Sequence, residues 1–529
     1  MATATGRFYL NNFREVLRQY GDGVSRLLCI LVFAVLLSVR LENMRQKAGL
    51  HVDEILSIQN ADCNGDISNQ LIEQSEKYGK EYIGKEVKEH YLWNESSVEA
   101  AFSDVKKLYI DNRDRPHTNL YYSCLRLWFA GITTTDIRII IDHGCRLNLL
   151  FFTFSFIFLY MLLRRLLDGD FLIPFSLFIA FANTGSISNT MFLRPYQLQE
   201  TLLILFTFLF VKCNECIADG RQLDQKMLYG LVTATGLTLL SGYYATIYVL
   251  MLFGGLFVRA DYAKQHGNCV WISGALVLSI LLARSLFQGF FYGFSCGRAG
   301  ESYRNISSLC KINESMGVFN NSLRSYLFDE TLIWLAFIWV AVLLLTRRQF
   351  IHIPVIFLCC FCWSFLCSIA MPIPSVRYIM PCFPLLIQIF PFLISRRSGS
   401  LYYIVAGATA FLTVGYWCSP PSVKYLFTKQ AQQIQLLCEK KSLPVVVLAD
   451  ENWKFCYILH LFNDEQRYVF VSSTKTLESR LKTYDSVLVL YFTVAYDENQ
   501  LLQILRKDFM VTKLQSFGDF FSLCELKRK

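Results

Sequence analysis

Two adjacent carboxylates open a long polar segment of this very hydrophobic chain. Asp53 and Glu54 lie about a dozen residues beyond the first apolar run, roughly 27–41, in the sequence His-Val-Asp-Glu-Ile-Leu-Ser. Acidic side chains are costly to hold beside lipid, so those found there commonly have a function. A carboxylate in such a place can act as general base toward an attacking hydroxyl or amine. An incidental, solvated pair of acids is the alternative interpretation.

Cations and aromatic residues recur where other apolar runs begin. Guanidinium groups bind phosphate bidentately, and aromatic faces suit sugar rings and isoprenoid chains. The residues of this kind that we predict at the same membrane surface as the acidic pair are His117, Tyr121, Tyr122, Arg146, Arg194, Tyr196, Tyr243, Tyr244, Arg377 and Tyr378.

Acids, arginines and aromatics at one depth favour group transfer from a lipid-phosphate-linked donor, with phosphate as the leaving group. Cationic contacts would stabilise the charge that develops on that phosphate. Each residue also has a simpler interpretation. Arg194 and Arg377 would otherwise be interfacial anchors, Tyr243 and Tyr244 part of an aromatic belt, and His117 a surface histidine.

The elements that must position these residues are membrane helices. The chain has 529 residues, of which 53% are hydrophobic and only 18% charged, against about 25% charged in soluble domains. Apolar runs of about 20 residues are long enough to cross a bilayer. We predict about eleven spans, at residues 26–41, 147–163, 171–189, 199–212, 227–241, 243–258, 269–289, 329–346, 350–371, 378–394 and 399–418.

The distribution of charge orients these spans. Paired Lys and Arg residues follow alternate spans on the side of the N-terminus, which the positive-inside rule assigns to the cytoplasm. The net charge of +9 therefore indicates helix anchoring and not nucleic-acid binding. We predict a cytoplasmic N-terminal segment at 1–25, a membrane domain at 26–418 that includes an outer loop at 42–146, and an extracytoplasmic domain at 419–529. A bacterial inner (plasma) membrane is the preferred location.

The outer loop and the C-terminal region both have regular patterns. Helical periodicity occurs near 67–80 and 96–110, and the amphipathic stretch 119–131 suits a helix lying in the membrane interface. After residue 421, apolar runs at 445–448, 468–471 and 487–491 alternate with helical patterns, and a strand pair is predicted within 509–525. This alternation indicates a small α/β domain with a largely parallel sheet.

Four passages, in order, resemble the GT-C membrane glycosyltransferases, in particular the branch of protein O-mannosyltransferases, lipid A aminoarabinose transferases and RgtA/B/C/D-like enzymes. His51-Val-Asp-Glu54 is similar to the acidic first-loop motif. The sequence from Arg115 to Trp128, followed by Arg146, is similar to a segment written HPPLYY…LW…R. Phe192-Leu-Arg-Pro-Tyr196 and Val376-Arg-Tyr-Ile-Met-Pro381 are similar to later R-x-Y and RY…P motifs. The departure is Thr118-Asn119, where the family more often has two prolines.

The resemblance implies a polyprenyl-phosphate-linked sugar as donor and a lipid, glycan or protein as acceptor. It implies Asp53 as the group that activates the acceptor or ligates a metal ion, with Glu54 supporting it and Arg194 and Arg377 near the donor phosphate. A divalent metal ion is an open alternative. One rival function is a transporter or flippase of lipid-linked sugars, for which we would expect inverted repeats and charges at the bilayer midplane. A structural or receptor-like membrane protein is the second rival, and it would not need acids and arginines clustered at one interface.

Overall fold

The computed structural model describes residues 2–62, 70–91, 97–110, 117–167, 170–295, 297–307, 312–328, 330–346, 352–371, 375–395, 400–419 and 423–529. The chain divides into two compact units. The helical unit comprises residues 1–43, 109–121 and 147–424, and the sheet unit comprises residues 44–108, 122–146 and 425–529. This division differs from the predicted domains, because most of the predicted outer loop belongs to the same unit as the C-terminal residues.

Helices dominate the described chain. In order they are α1 Ala2–Gln46, α2 Val52–Ala61, α3 Leu71–Tyr78, α4 Gly84–Tyr91, α5 Val98–Ile110, α6 Leu120–Trp128, α7 Ile137–Leu166, α8 Leu172–Phe181, α9 Thr184–Met191, α10 Tyr196–Ala218, α11 Gln225–Leu239, α12 Ala245–Tyr262, α13 His266–Leu286, α14 Gly297–Ser307, α15 Ile312–Tyr326, α16 Glu330–Thr346, α17 His352–Ala370, α18 Phe383–Leu386, α19 Ile389–Ser395, α20 Ser400–Cys418, α21 Thr428–Glu439, α22 Thr474–Leu481 and α23 Glu498–Leu505.

The helical unit has helices at each of the eleven predicted span positions. Among the described residues, six segments are long and apolar enough to cross a membrane: Asp22–Gln46, Ile137–Leu166, Tyr196–Ala218, Ala245–Tyr262, His266–Leu286 and Val376–Ser395. This confirms a polytopic helical membrane protein, while the total of eleven spans stays a prediction.

Two predicted spans are interrupted rather than continuous. The segment 171–189 divides into α8 and α9 at Asn183, whose side chain accepts a hydrogen bond from the Ser186 amide and thereby caps α9. The segment 378–394 consists of short 3₁₀ turns followed by α18 and α19. Its three prolines, Pro381, Pro384 and Pro391, lack the amide hydrogen that a continuous helix requires.

The sheet unit contains a six-stranded mixed sheet in the order β1-β3-β2-β4-β6-β5. The strands are β1 Tyr82–Ile83, β2 Val445–Leu448, β3 Arg467–Val471, β4 Ser486–Phe492, β5 Phe509–Phe517 and β6 Phe521–Arg528. β2 is parallel to both β3 and β4, whereas β1, β5 and β6 pair antiparallel. The expected strands are therefore present, but the sheet is mixed instead of largely parallel.

Strand β1 comes from the predicted outer loop and pairs with β3 of the C-terminal region, Tyr82 opposite Tyr468. Just after this strand, the backbone at Gly84 lies very close to the backbone at Asn463. A Cβ built on Gly84 would lie 1.9 Å from the carbonyl oxygen of Asn463. Only a residue without a side chain fits there. The loop and the C-terminal region thus share one hydrogen-bonded sheet.

Candidate functional site

Arg194 lies in the short connection between α9 and α10 and is only 4% exposed. Its Nη2 is 2.8 Å from Nε2 of His117. Because a guanidinium only donates hydrogen bonds, His117 accepts through Nε2 and its proton is on Nδ1. The structure thereby brings together two residues that are far apart in the sequence and that we selected independently as substrate contacts.

The two residues after His117, which depart from the family pattern, hold helix ends. The Thr118 hydroxyl donates to the Leu240 carbonyl at 2.5 Å, and the Asn119 amide donates to the Leu286 carbonyl at 3.1 Å. These carbonyls lie at the C-terminal ends of α11 and α13, where helices leave acceptors unsatisfied. Thr118 and Asn119 therefore fix the segment that carries His117.

A cavity of about 390 Å³ lies beside this pair, within the helical unit. Five of the predicted site residues line it: His117, Tyr196, Tyr243, Tyr244 and Tyr378. Residues that the sequence analysis did not select complete the wall, among them Gln199, Ser241, Thr246, Gly293, Phe294, Ser302 and Tyr303. Tyr196 and Gln199 are three residues apart on α10, so both are presented on one helix face.

The tyrosine rings pack edge to face around Tyr378. The centroid of Tyr378 lies 5.9 Å from that of Tyr196 and 5.8 Å from that of Tyr244, at interplanar angles of 89° and 76°. The Tyr244 hydroxyl is 3.1 Å from the Ser302 hydroxyl, and Trp363 donates to the Tyr244 carbonyl at 2.7 Å. The aromatic wall is therefore held rigidly by partners on several helices.

Tyr243 occupies space that a glycine leaves open. A Cβ at Gly293 would lie 2.0 Å from Cζ of the Tyr243 ring. The ring also packs against Phe294, with centroids 4.9 Å apart. Arg377, next to the cavity residue Tyr378, places its guanidinium 5.4 Å from that ring in a cation–π arrangement.

A fully buried polar network holds the α9–α10 connection, and sequence reasoning missed it. Arg40 of α1 donates to the hydroxyls of Ser186 and Thr190 and to the Phe181 carbonyl. Glu200 of α10 accepts from the side chains of Ser186, Asn189 and Gln197. The network joins three helices through side chains on either side of Arg194.

Asn148 of α7 adds a direct contact to the same connection. Its side-chain amide donates to the carbonyls of Thr190 and Phe192, at 3.2 and 2.8 Å. Asn148 is completely buried, and such a polar group is stabilising only when its hydrogen bonds are made. The backbone leading into Arg194 is therefore fixed from two sides.

The acidic motif belongs to the sheet unit, where Glu54 is buried and paired. The Glu54 carboxylate is 3.1 Å from Lys47 Nζ, and both side chains are 0% exposed. The same carboxylate accepts from the His51 amide at 2.7 Å, which completes a capping box at the start of α2. Lys47 also donates to the Tyr425 carbonyl at 2.6 Å. Glu54 therefore stabilises the conformation of the motif, and its partner Lys47 links the motif to the C-terminal region.

Asp53 is more accessible than its neighbour, with 18% of its side chain exposed. Its backbone amide donates to His51 Nδ1 at 3.1 Å, and its Oδ2 is 3.4 Å from that atom. Burial and the negative charge of Asp53 raise the pKa of Tyr457. Asp53 is thus the member of the pair with an accessible carboxylate.

The other two predicted site residues of the sheet unit differ in exposure. Tyr122 is fully buried on α6. Arg146 is exposed on α7 and has no hydrogen bond or ion pair with any residue that the structure describes. Arg115 of the family-like segment lies outside the described residues. The functional roles of Tyr122 and Arg146 stay predictions.

The residues around Asp53 do not form a metal-binding set. Within the described ranges, no three His, Cys, Asp or Glu side chains are close enough to hold a metal ion. His51 Nδ1 accepts the Asp53 amide hydrogen, so that nitrogen is already engaged.

Comparison with solved structures identifies the fold. The structure of ArnT from Cupriavidus metallidurans bound to undecaprenyl phosphate matches with a TM-score of 0.52 and 11% identity, over 94% of this chain and 97% of that one. The apo form of ArnT gives 0.45 at 10% identity, over 94% and 97% of the two chains. AglB from Archaeoglobus fulgidus, in complex with an inhibitory peptide and a dolichol-phosphate, gives 0.46 at 9% identity, over 96% and 74%. No protein-family model and no curated protein sequence matches this chain.

ArnT is an aminoarabinose transferase, and both it and AglB are GT-C membrane glycosyltransferases. The chain has the GT-C fold, as the sequence resemblance predicted. At this low identity the likeness establishes the fold and not the substrate.

Proposed function

We propose that this protein transfers a sugar from a polyprenyl-phosphate-linked donor to an acceptor at the membrane surface. The observation that carries the proposal is one cavity of a GT-C fold lined by His117, Tyr196, Tyr244 and Tyr378, with Arg194 bonded to His117. Guanidinium groups suit contact with phosphate, and aromatic rings suit contact with a sugar ring. The ArnT structure of the same fold was solved with undecaprenyl phosphate bound.

Arg194 is the proposed contact to the donor phosphate. It is almost completely buried, and His117 fixes one end of its guanidinium group beside the cavity. In a site of low dielectric, a fixed cation stabilises negative charge more strongly than it does in water. Arg377, with its cation–π contact to Tyr378, is proposed as a second cation for the same group.

The reaction is an in-line displacement at the anomeric carbon. An acceptor hydroxyl or amine forms the new bond to that carbon while the bond from the carbon to the phosphate oxygen breaks. The electron pair of the broken bond leaves with polyprenyl phosphate, whose charge the arginines stabilise. The proton of the acceptor goes to a carboxylate, for which Asp53 is the proposed residue because of its accessible side chain and its place in the family-like motif.

The test is sugar transfer by the purified protein in liposomes that contain polyprenyl phosphates carrying mannose, glucose or galactose. Release of free polyprenyl phosphate, measured by mass spectrometry, reports the reaction. Arg194→Met should reduce it by roughly 10²–10³-fold, as for other groups that stabilise transition-state charge. Arg221→Met is the matched control, because Arg221 is exposed and pairs with Asp219 on the surface.

The same assay separates transfer from transport. Asp53→Asn should abolish release of polyprenyl phosphate while the protein still inserts and folds. Movement of lipid-linked sugar across the liposome membrane, without release and without any effect of either substitution, would support a flippase and refute the proposal.

A further inference from the structure

Gln199 places a carboxamide in the wall of the cavity. It is 5% exposed and lines the cavity one helical turn after Tyr196. Among the residues that the structure describes, none makes a hydrogen bond with its side chain. By contrast, the buried Gln197, two residues earlier, bonds to Glu200 at 2.8 Å and accepts from Thr190 at 2.9 Å.

A carboxamide in a cavity wall that makes no hydrogen bond to the described protein residues is available to a bound ligand. Of the described residues that line the cavity, Gln199 is the one with a carboxamide, and the others are mainly tyrosines and small residues.

A neighbouring glycine keeps the amide in place. A Cβ at Gly242 would lie 3.3 Å from Nε2 of Gln199, so the amide rests directly against the turn that leads to Tyr243. Thr246, on the first turn of α12, also lines the cavity, and its hydroxyl makes no hydrogen bond to any described residue. Gln199 and Thr246 therefore place a carboxamide and a hydroxyl in a wall that also carries several aromatic rings.

We propose that Gln199 determines which sugar the enzyme accepts, by hydrogen bonding to hydroxyl groups of the donor ring. A carboxamide both donates and accepts, as does a sugar hydroxyl, and the fixed direction of these bonds distinguishes axial from equatorial hydroxyls. The tyrosine rings contact the apolar face of the sugar and Thr246 bonds at its edge. This inference rests on the proposed function, since it assigns the cavity to the sugar of the donor.

The test compares binding of dolichyl phosphate with binding of dolichyl-phosphate mannose, glucose and galactose. The wild-type protein should bind one sugar-bearing lipid more tightly than the bare lipid and should discriminate among the three stereoisomeric hexoses. Gln199→Leu, similar in volume, should reduce that preference about 2- to 13-fold, the range of one uncharged hydrogen bond. Its affinity for bare dolichyl phosphate should not change, which also shows that the variant is folded.

A second variant tests the position of the Gln199 amide without replacing Gln199 itself. Gly242→Ala should displace the Gln199 amide and reduce the preference in the same direction. Gly274→Ala is the matched control, because a Cβ there meets no atom within 4 Å.

The outcomes separate the two proposals. For each of the three sugars, the affinity for the sugar-bearing lipid is divided by the affinity for the bare lipid. If Gln199→Leu leaves all three of these affinity ratios unchanged, the role of Gln199 in sugar specificity is refuted. If neither dolichyl phosphate nor undecaprenyl phosphate binds the wild-type protein, or if Arg194→Met binds the lipid phosphate equally well, the proposed function itself is refuted. If Arg194→Met weakens binding of the lipid phosphate but Gln199→Leu does not change the preference for a sugar, the donor phosphate site is supported and only the role of Gln199 in sugar recognition is refuted.

Discussion

Replacing Glu54 by glutamine should destabilise the sheet unit strongly, whereas replacing Asp53 by asparagine should not. Glu54 and Lys47 are both completely buried and their charged atoms are 3.1 Å apart. Removing one partner of such a pair leaves the other charge buried, at a cost of about 3–5 kcal/mol. Asp53 is partly exposed, so its neutralisation leaves no comparable charge.

The predicted cost converts into a measurable shift in Tm. For a unit of about 200 residues, 1 kcal/mol corresponds to about 2–4 °C. Glu54→Gln should therefore lower the unfolding temperature by about 6–20 °C, and Asp53→Asn by less than about 2 °C. Thermal unfolding of the detergent-solubilised protein, followed by circular dichroism, provides the measurement.

A double variant tests the reason for the effect. Lys47→Met combined with Glu54→Gln removes the uncompensated charge, so it should be more stable than the sum of the single substitutions predicts. A Glu54→Gln protein as stable as the wild type would refute the structural role that we assign to this carboxylate. Loss of sugar transfer in Asp53→Asn at unchanged Tm would then separate the two members of the acidic pair.

Three further predictions follow from other contacts. Burial, followed by the charges of Lys47 and Lys88, lowers the pKa of His460 from 6.5 to about 3. Between these pH values the unfolded chain binds a proton that the folded protein does not, so this histidine should lower the free energy of unfolding by about 1.4 kcal/mol for each unit of decreasing pH. His460→Gln should remove this contribution, which is measured as the dependence of Tm on pH in acid. Gly293→Ala should displace the Tyr243 ring and reduce sugar transfer roughly 10²-fold. Gly300→Ala, in α14, should not change sugar transfer, because a Cβ there meets no atom within 4 Å. Arg40→Met removes charged hydrogen bonds and should lower the free energy of unfolding by at least about 2 kcal/mol. An unchanged Tm would contradict the stabilising role of Arg40 at the α9–α10 connection.

The sequence was most informative where chemistry and membrane position coincide. Tyr196, Tyr244 and Tyr378 were selected because aromatic residues at span ends suit a lipid-linked sugar, and the structure brings these three to one cavity. The helices were predictable because apolar runs of sufficient length have one stable conformation in a bilayer.

The missed features depend on contacts between residues that are distant in sequence. Tyr82 pairs with Tyr468 although the local sequence of 82–83 gives little indication of a strand. Arg40 and Glu200 lie within apolar helices, and their hydrogen-bonding partners become evident only when α9 is placed beside them. Gln199 was identifiable in principle, since its spacing from Tyr196 puts it on the same helix face.

The central claim is that the cavity beside Arg194 binds the donor. The most direct measurement is photo-crosslinking with a dolichyl-phosphate sugar that carries a diazirine on its first isoprene unit, followed by peptide mass spectrometry. Labelling should concentrate on the first turn of α10 and on residues 241–247, and Arg194→Met should remove it. Labelling spread evenly over the lipid-facing helices, and unaffected by Arg194→Met, would contradict the claim.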